Sequence, residues 1–291
     1  MAIGLGQSPL VEGGQAMLWI RGLRVAAVAV GSVGGLSGAA YTLLQSQSRQ
    51  ARSIIGAPRD LPFNADGTYL PDGTGPIAAS GGLTFGVFGD SSAAGLGAEA
   101  PDWLPGVQLA RGLAEEAGLP VQLTTYAISG SRSSDLGRQV DRALIAPPRV
   151  ALVMVGGNDV TARRGVAECA ELLAEQVRRL VAAGTSVVVG TCPDLGSVRP
   201  IPQPLRSLAQ RWSLALGRAQ ARALVGSGAA VVPLTLLSRH FATRPDELFS
   251  TDRFHPNGAG YALAAGVILA PLCAAAGLWG SARPAGCATV R

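Results

Sequence analysis

Lysine is absent from this 291-residue chain: all 24 basic residues are arginine. Alanine, glycine and proline are abundant beside them, so we read the arginines as coding bias rather than phosphate recognition. Net charge is only +5, aromatics make up 5% of the chain, and no basic run is interleaved with them. A nucleic-acid-binding footprint is therefore not expected. Without lysine the phosphate-loop motif Gly-x-x-x-x-Gly-Lys-Ser/Thr cannot occur. The Gly-x-Gly-x-x-Gly signature of dinucleotide folds is also missing after the first strand-like run. Histidine occurs twice, and the four cysteines form no Cys-x-x-Cys pair, which leaves no ligand set for structural zinc. No metal and no cofactor are expected. The 15% of charged residues against 48% hydrophobic ones describe a globular chain with a sizeable core.

Charge is also missing from one long stretch near the N-terminus. The twenty residues "VAAVAVGSVGGLSGAAYTLL" (Val25 to Leu44) carry none, and that length can cross a bilayer as a helix. Arg21 and Arg24 precede the run and Arg49 and Arg52 follow it, so basic flanks do not fix its orientation. "SGA" (Ser37–Ala39) would pass as a signal-peptidase site, and Met17 opens a better basic leader than Met1. Residues 1–44 are expected to be a signal anchor or signal peptide, with the body extracytoplasmic, either membrane-anchored or secreted. The following "QSQSRQARS" reads as a continuing amphipathic helix. Residues 45–82 hold Pro58, Pro62, Pro71 and Pro76 and read as a linker or arm.

From Leu83 the pattern is regular. Apolar, β-prone runs recur at 83–88, 121–126, 150–155, 186–191 and 229–234. Helical patterns lie between them at 105–117, 133–144, 165–183 and 204–225, with a last one over 258–276. Strands alternating with helices give right-handed βαβ units and a parallel sheet. The expectation is one three-layer α/β/α sandwich with five parallel strands over residues 83–280, followed by a tail at 281–291. Such sheets bind ligands beyond the carboxyl ends of their strands.

What stands at those ends is chemically pointed. "GDSSAAG" follows the first strand, "AISGSRSSDL" the second and "GGNDV" the third; "FSTDRFHPNGAGY" comes before the last helix. A serine hydroxyl is a weak nucleophile and needs a base. His255 fits that role, whereas His240 sits in "LLSRHFATRP" without such company. A carboxylate must hold the base in one tautomer, and Asp252 lies three residues before His255. The developing oxyanion needs fixed donors; the N–H groups of Ser91 and Gly130 and the amide of Asn158 would supply them.

These four blocks resemble the SGNH hydrolases, also called GDSL esterases and lipases. "GDSSAAG" is similar to their nucleophile block, "ISGSR" to the glycine block, "GGND" to the asparagine block and "DRFHPN" to the Asp-x-x-His block. The resemblance spans about Leu83 to Ala276 and implies a flavodoxin-like sandwich. It assigns Ser91 as nucleophile, His255 as base and Asp252 as its orienter, with Ser91, Gly130 and Asn158 forming the oxyanion hole. Two positions depart from the pattern: Ser92 replaces the usual leucine, and Thr125 stands where many relatives place an asparagine.

The implied activity is hydrolysis of carboxylic esters, on a small-molecule, lipid or acylated-glycan substrate. An O-acyltransferase acting on envelope glycans, or an inactive acyl-glycan binder, would use the same site. The loops Glu99–Gly106, with Trp103, and Pro193–Ser207 are candidates for an acyl groove. If the body is exported, placement by sheet end suggests the disulfides Cys169–Cys192 and Cys273–Cys287.

Overall fold

The computed structural model describes residues 39–55, 62–79 and 81–278. The apolar run from Val25 as far as residue 38, and Cys287, lie outside the described residues. The chain divides into two compact units, Met1–Gln50 and Ala51–Arg291. In the first, residues 39–50 are helical. That helix, α1, runs to residue 55, as the polar sequence after the apolar run suggested.

The second unit is built on six strands: β1 (Gly67–Tyr69), β2 (Leu83–Gly89), β3 (Val121–Thr125), β4 (Val150–Met154), β5 (Ser186–Gly190) and β6 (Ala230–Val232). Their order is β1-β3-β2-β4-β5-β6. The five expected strands are all present and all parallel. β1 is an addition to them, pairing antiparallel with β3 at the sheet edge. Its three residues lie in a proline- and glycine-rich stretch whose sequence looks like pure turn. Tertiary contacts hold it instead: the fully buried Tyr69 gives its hydroxyl hydrogen to the Ala65 carbonyl at 2.6 Å, and Asp66 accepts the Thr125 N–H at 2.9 Å.

The helices are α2 (Ser91–Ala94), α3 (Pro105–Ala117), α4 (Leu136–Ala143), α5 (Gly157–Thr161), α6 (Val166–Ala182), α7 (Leu205–Ala223), α8 (Ser238–Thr243), α9 (Pro245–Leu248) and α10 (Gly258–Ala275). Side chains alternate across a strand, so each central strand feeds two cores. Val150, Leu152 and Met154 of β4 join Phe85 and Val87 under α3 and α10. Ala151 and Val153 join Phe88, Val187 and Val189 under α4 and α6. Both sheet faces are thus covered, and the strand sequences are near-continuously apolar for that reason. The inward stripe of α6 carries Leu173, Val177 and Leu180, each at most 1% exposed. Truncating one of the leucines to Ala would cost about 2–5 kcal/mol.

α10 is the helix among the described residues that is long and apolar enough to cross a membrane. Here it acts as a core helix, burying Tyr261, Ala265, Ile268, Leu272 and Cys273. Cys169, Cys192 and Cys273 are free thiols, so the expected Cys169–Cys192 bridge is not formed. The two do share one apolar cluster. Their sulfurs turn to other partners, however: Cys169 Sγ donates to Asp159 and Cys192 Sγ to the Pro193 carbonyl.

Candidate active site

The strands deliver the candidate residues to one rim. At the end of β2, Gly89 has φ +133°, and a Cβ there would lie 1.7 Å from the Met154 carbonyl oxygen. Only glycine lets β2 approach β4 so closely where the chain turns into α2. Asp90 then caps α2, its Oδ1 accepting the Ser92 N–H at 3.0 Å. Ser91 is the first residue of that helix. Its N–H is among the first-turn donors that have no acceptor within the helix.

The base arrives on the turn before α10. The Ser250 N–H bonds the His255 carbonyl at 2.8 Å, and the Arg253 N–H bonds the Ser250 carbonyl at 2.9 Å. Within this turn Asp252 Oδ1 accepts three bonds, from Ser250 Oγ (2.8 Å), Phe254 N–H (2.8 Å) and His255 N–H (2.9 Å). That leaves Oδ2 for the imidazole, 2.6 Å from His255 Nδ1. His255 Nε2 is 2.9 Å from Ser91 Oγ. Phe254 meets the ring edge-on, with centroids 4.9 Å apart. Ser91 and His255 are both buried. The imidazole is therefore oriented on one side and in contact with the hydroxyl on the other.

Two carboxyls at this rim have opposite electrostatic fates. Burial acts to raise the Asp252 pKa, but the His255 ring and the two backbone N–H groups outweigh it and hold the group down at about 2. For Asp90 burial wins. It pushes the carboxyl up to about 6, against the Ser92 N–H, the His255 imidazole and the Gly156 N–H, which favour its ionised form.

Asn158 is the second residue of α5, behind β4, and lines the same pocket as Ser91. Its Nδ2 donates to the Ser131 carbonyl at 2.9 Å. Gly130 lies in the exposed turn after β3 with φ +86°. That turn hangs on the nucleophile strand, through the Ile128 N–H to the Gly89 carbonyl at 3.1 Å. Ser91, His255 and Asp252 are thus directly bonded, Asn158 borders their pocket, and Gly130 is tied to them through its loop. His240 is exposed on α8, where its carbonyl accepts from Thr243 Oγ1 and from the Arg244 N–H.

Two buried residues of the site escaped the sequence reading. Asp159 accepts from the Ser133 N–H (3.1 Å) and Ser133 Oγ (2.9 Å), tying the glycine loop to the asparagine block. Gln139, on α4, bonds both Gly89 and Ser131. Asp159 stood inside "GGND". Gln139 left one signal, a polar residue on the apolar stripe of Leu136, Val140 and Ala143.

The pocket beside Ser91 is mainly apolar. Leu195 and Val198 come from the expected loop after β5; Leu237, Phe241, Phe249 and Phe254 come from segments that were not expected. Trp103 does not line it and is 48% exposed. Glu99, from the same loop, instead accepts the Gly258 N–H at 2.8 Å, at the start of α10. The acyl-groove expectation for Glu99–Gly106 is corrected accordingly.

The GDSL-like lipase/acylhydrolase family model matches residues 87–263, more than half of the chain. The chain belongs to this family. It is 41% identical over 263 residues to a GDSL-like esterase of Mycobacterium tuberculosis, covering 86% of this chain and 83% of that protein. Its fold is similar to the crystal structure of TesA, at 22% identity and TM-score 0.55, over 66% of this chain and 99% of that one. A lipase/acylhydrolase from Enterococcus faecalis matches at 21% identity and TM-score 0.51, over 65% and 94%. The three-layer α/β/α sandwich is the SGNH hydrolase fold, and the family membership makes this chain a carboxylic ester hydrolase.

Proposed function

We propose that this GDSL-family hydrolase cleaves esters through an acyl-enzyme on Ser91. The observation that carries the reading is the unbroken chain from Ser91 Oγ to His255 Nε2 (2.9 Å) and from His255 Nδ1 to Asp252 (2.6 Å). Ser91 Oγ attacks the ester carbonyl carbon while His255 Nε2 takes its proton. The tetrahedral oxyanion is met by the N–H groups of Ser91 and Gly130 and by the Asn158 amide. Collapse breaks the bond from carbon to the alcohol oxygen, and His255 returns the proton to the departing alcohol. Water then attacks the acyl-enzyme by the same route, releasing the carboxylic acid and free Ser91. The apolar pocket would take the acyl chain, with Phe241 and Leu237 among its walls.

The test is turnover of a chromogenic short-chain ester by folded variants. Ser91→Ala and His255→Ala should each lose about 10⁴-fold or more in kcat, and His240→Ala should stay near wild type. Full activity in Ser91→Ala would refute the acyl-enzyme. Adding alcohol acceptors separates hydrolysis from acyl transfer.

We further infer that residues 25–44 act as a signal anchor or a signal peptide, with the hydrolase domain outside the cytoplasm, either membrane-anchored or secreted. Support comes from the twenty uncharged residues with arginines on both flanks and from the helix over residues 39–55. Fractionation of the full chain checks it: recovery as full-length cytoplasmic protein would contradict the inference.

A further inference from the structure

We propose that Gln139 is a positioning residue that sets the oxyanion loop against the nucleophile strand. The inference rests on the acyl-enzyme reading of Ser91. Gln139 is 1% exposed on the inner face of α4, where an apolar residue would be the ordinary occupant. Its amide reads the backbone of Gly89 on both sides, as a neighbouring strand would. Oε1 accepts the Gly89 N–H at 2.8 Å, and Nε2 donates to the Gly89 carbonyl at 2.9 Å. The second Nε2 hydrogen goes to Ser131 Oγ at 3.1 Å. One side chain thus joins a point two residues before the nucleophile to a point one residue after Gly130.

Ser131 is the node of the loop. Its hydroxyl takes Gln139, its carbonyl takes Asn158 Nδ2 at 2.9 Å, and its N–H closes the turn on the Ile128 carbonyl at 3.1 Å. The neighbouring Gly130 has φ +86° and open space where a Cβ would lie. Its own packing therefore does little to fix where its N–H points. The direction of that donor depends on the anchors either side of it: Ile128 on Gly89 before it, Ser131 on Gln139 and Asn158 after it. Ile128 ties the loop to the strand bearing Ser91 on the side before Gly130, and Gln139 ties it to the same strand on the side after. A donor that drifts by about 1 Å from the oxyanion costs up to about 10²-fold in rate, and ground-state binding in the apolar pocket does not depend on it.

The test is Gln139→Met, which keeps the length and removes all three bonds, beside Ser131→Ala, which removes the link to the loop and leaves the Gly89 pair intact. Each is assayed on a short-chain chromogenic ester and with an alkyl trifluoromethyl ketone, whose hemiketal oxyanion occupies the donor site. Gln139→Met should lose about 10- to 100-fold in kcat with KM within about twofold. Its inhibition constant for the ketone should rise by the same factor as kcat falls. Ser131→Ala should show the same parallel at smaller size, about 3- to 10-fold, in the folded protein. A purely structural residue would lower Tm and active fraction, leaving the ketone affinity of the folded fraction as in wild type. A folded Gln139→Met with wild-type kcat and ketone affinity overturns the proposal. If that variant does not fold, Ser131→Ala decides, and wild-type values there overturn it equally. Either result leaves the acyl-enzyme reading standing, because that reading fails only if Ser91→Ala stays active.

Discussion

Replacing Asp252 by asparagine should disable the base while leaving the turn in place. Asp252 Oδ1 accepts from Ser250 Oγ and from the N–H groups of Phe254 and His255. An asparagine must keep its carbonyl oxygen on that side, because a flipped NH₂ would confront two backbone donors. Leaving those two donors unsatisfied would cost about 2–6 kcal/mol. The NH₂ therefore faces His255 Nδ1 and donates to it. Nδ1 becomes the acceptor, the proton moves to Nε2, and the imidazole presents N–H to Ser91 Oγ where it should present a lone pair. A base in the wrong tautomer costs about 10⁴ in kcat, or about 5 kcal/mol of barrier. Binding in the apolar pocket is untouched, so KM should hold. The assay is steady-state turnover of a short-chain chromogenic ester at pH 7, with Tm measured on the same preparation. Asp252→Asn with kcat within about tenfold of wild type would refute the reasoning. So would a similar loss of kcat accompanied by unfolding, since the turn's three anchoring bonds remain available.

Other perturbations have equally definite outcomes. Asn158→Ala should lower kcat by about 10²–10³ with KM little changed; a raised KM at constant kcat would place Asn158 in ground-state binding. Gly89→Ala should give no stable, active protein, because its Cβ would lie 1.7 Å from the Met154 oxygen; a folded, active variant would contradict the close approach of β2 and β4. Stability should depend on pH through two carboxyls of opposite sign. Asp90 has its folded pKa raised to about 6 from 3.8, so its contribution is present below pH 4 and is lost, to the extent of about 3 kcal/mol, as pH rises through 6. Asp252 is lowered to about 2 from 3.8, so its roughly 2 kcal/mol is present above pH 4 and lost as pH falls through 2. Thermal melts from pH 2 to 8 should show Asp90→Asn losing less stability than wild type between pH 4 and 7. Parallel curves over that window would mean Asp90 is not the group that titrates.

The parallel strands were legible because both of their faces are buried, which writes five apolar runs into the sequence. The helix of residues 105–117 was legible to its ends, since Pro105 starts it and Gly118 stops it in the left-handed conformation. The candidate triad could be read because Asp252 and His255 share one short turn and serine has only one plausible base. β1 could not be read: three residues carry no periodicity, and its stability lies in Tyr69 and Asp66 reaching across space. The pocket walls were half legible. Phe241, Phe249 and Phe254 are brought to the Ser91 rim by α8, α9 and the His255 turn, short irregular segments whose path no local pattern dictates. The cysteine pairing shows the same limit, because neighbouring elements were found correctly while the direction of each sulfur depends on packing.

The rim is where this fold concentrates its buried polarity. Asp90, Ser91, Ser131, Ser133, Gln139, Asp159 and His255 are all at most 8% exposed and all lie at or near the carboxyl ends of β2, β3 and β4. The carboxylates among them are satisfied by backbone N–H groups and hydroxyls. Neither Asp90, Asp159 nor Asp252 pairs with arginine among the described residues. The distinction matters for catalysis. A backbone donor is fixed by the fold and needs no reorganisation when charge develops, and its short-range bonds are little screened by salt. An arginine would bring a mobile charge and attract anions indiscriminately. In a chain with 24 basic residues, no arginine among the described residues lines the pocket beside Ser91, and its charged lining groups there are Asp90 and Asp194. On the proposed function, such a pocket disfavours an anionic ligand and suits an uncharged acyl chain. On the proposed mechanism, the charge that develops during turnover is the oxyanion of the ester carbonyl, met by the proposed donors Ser91, Gly130 and Asn158.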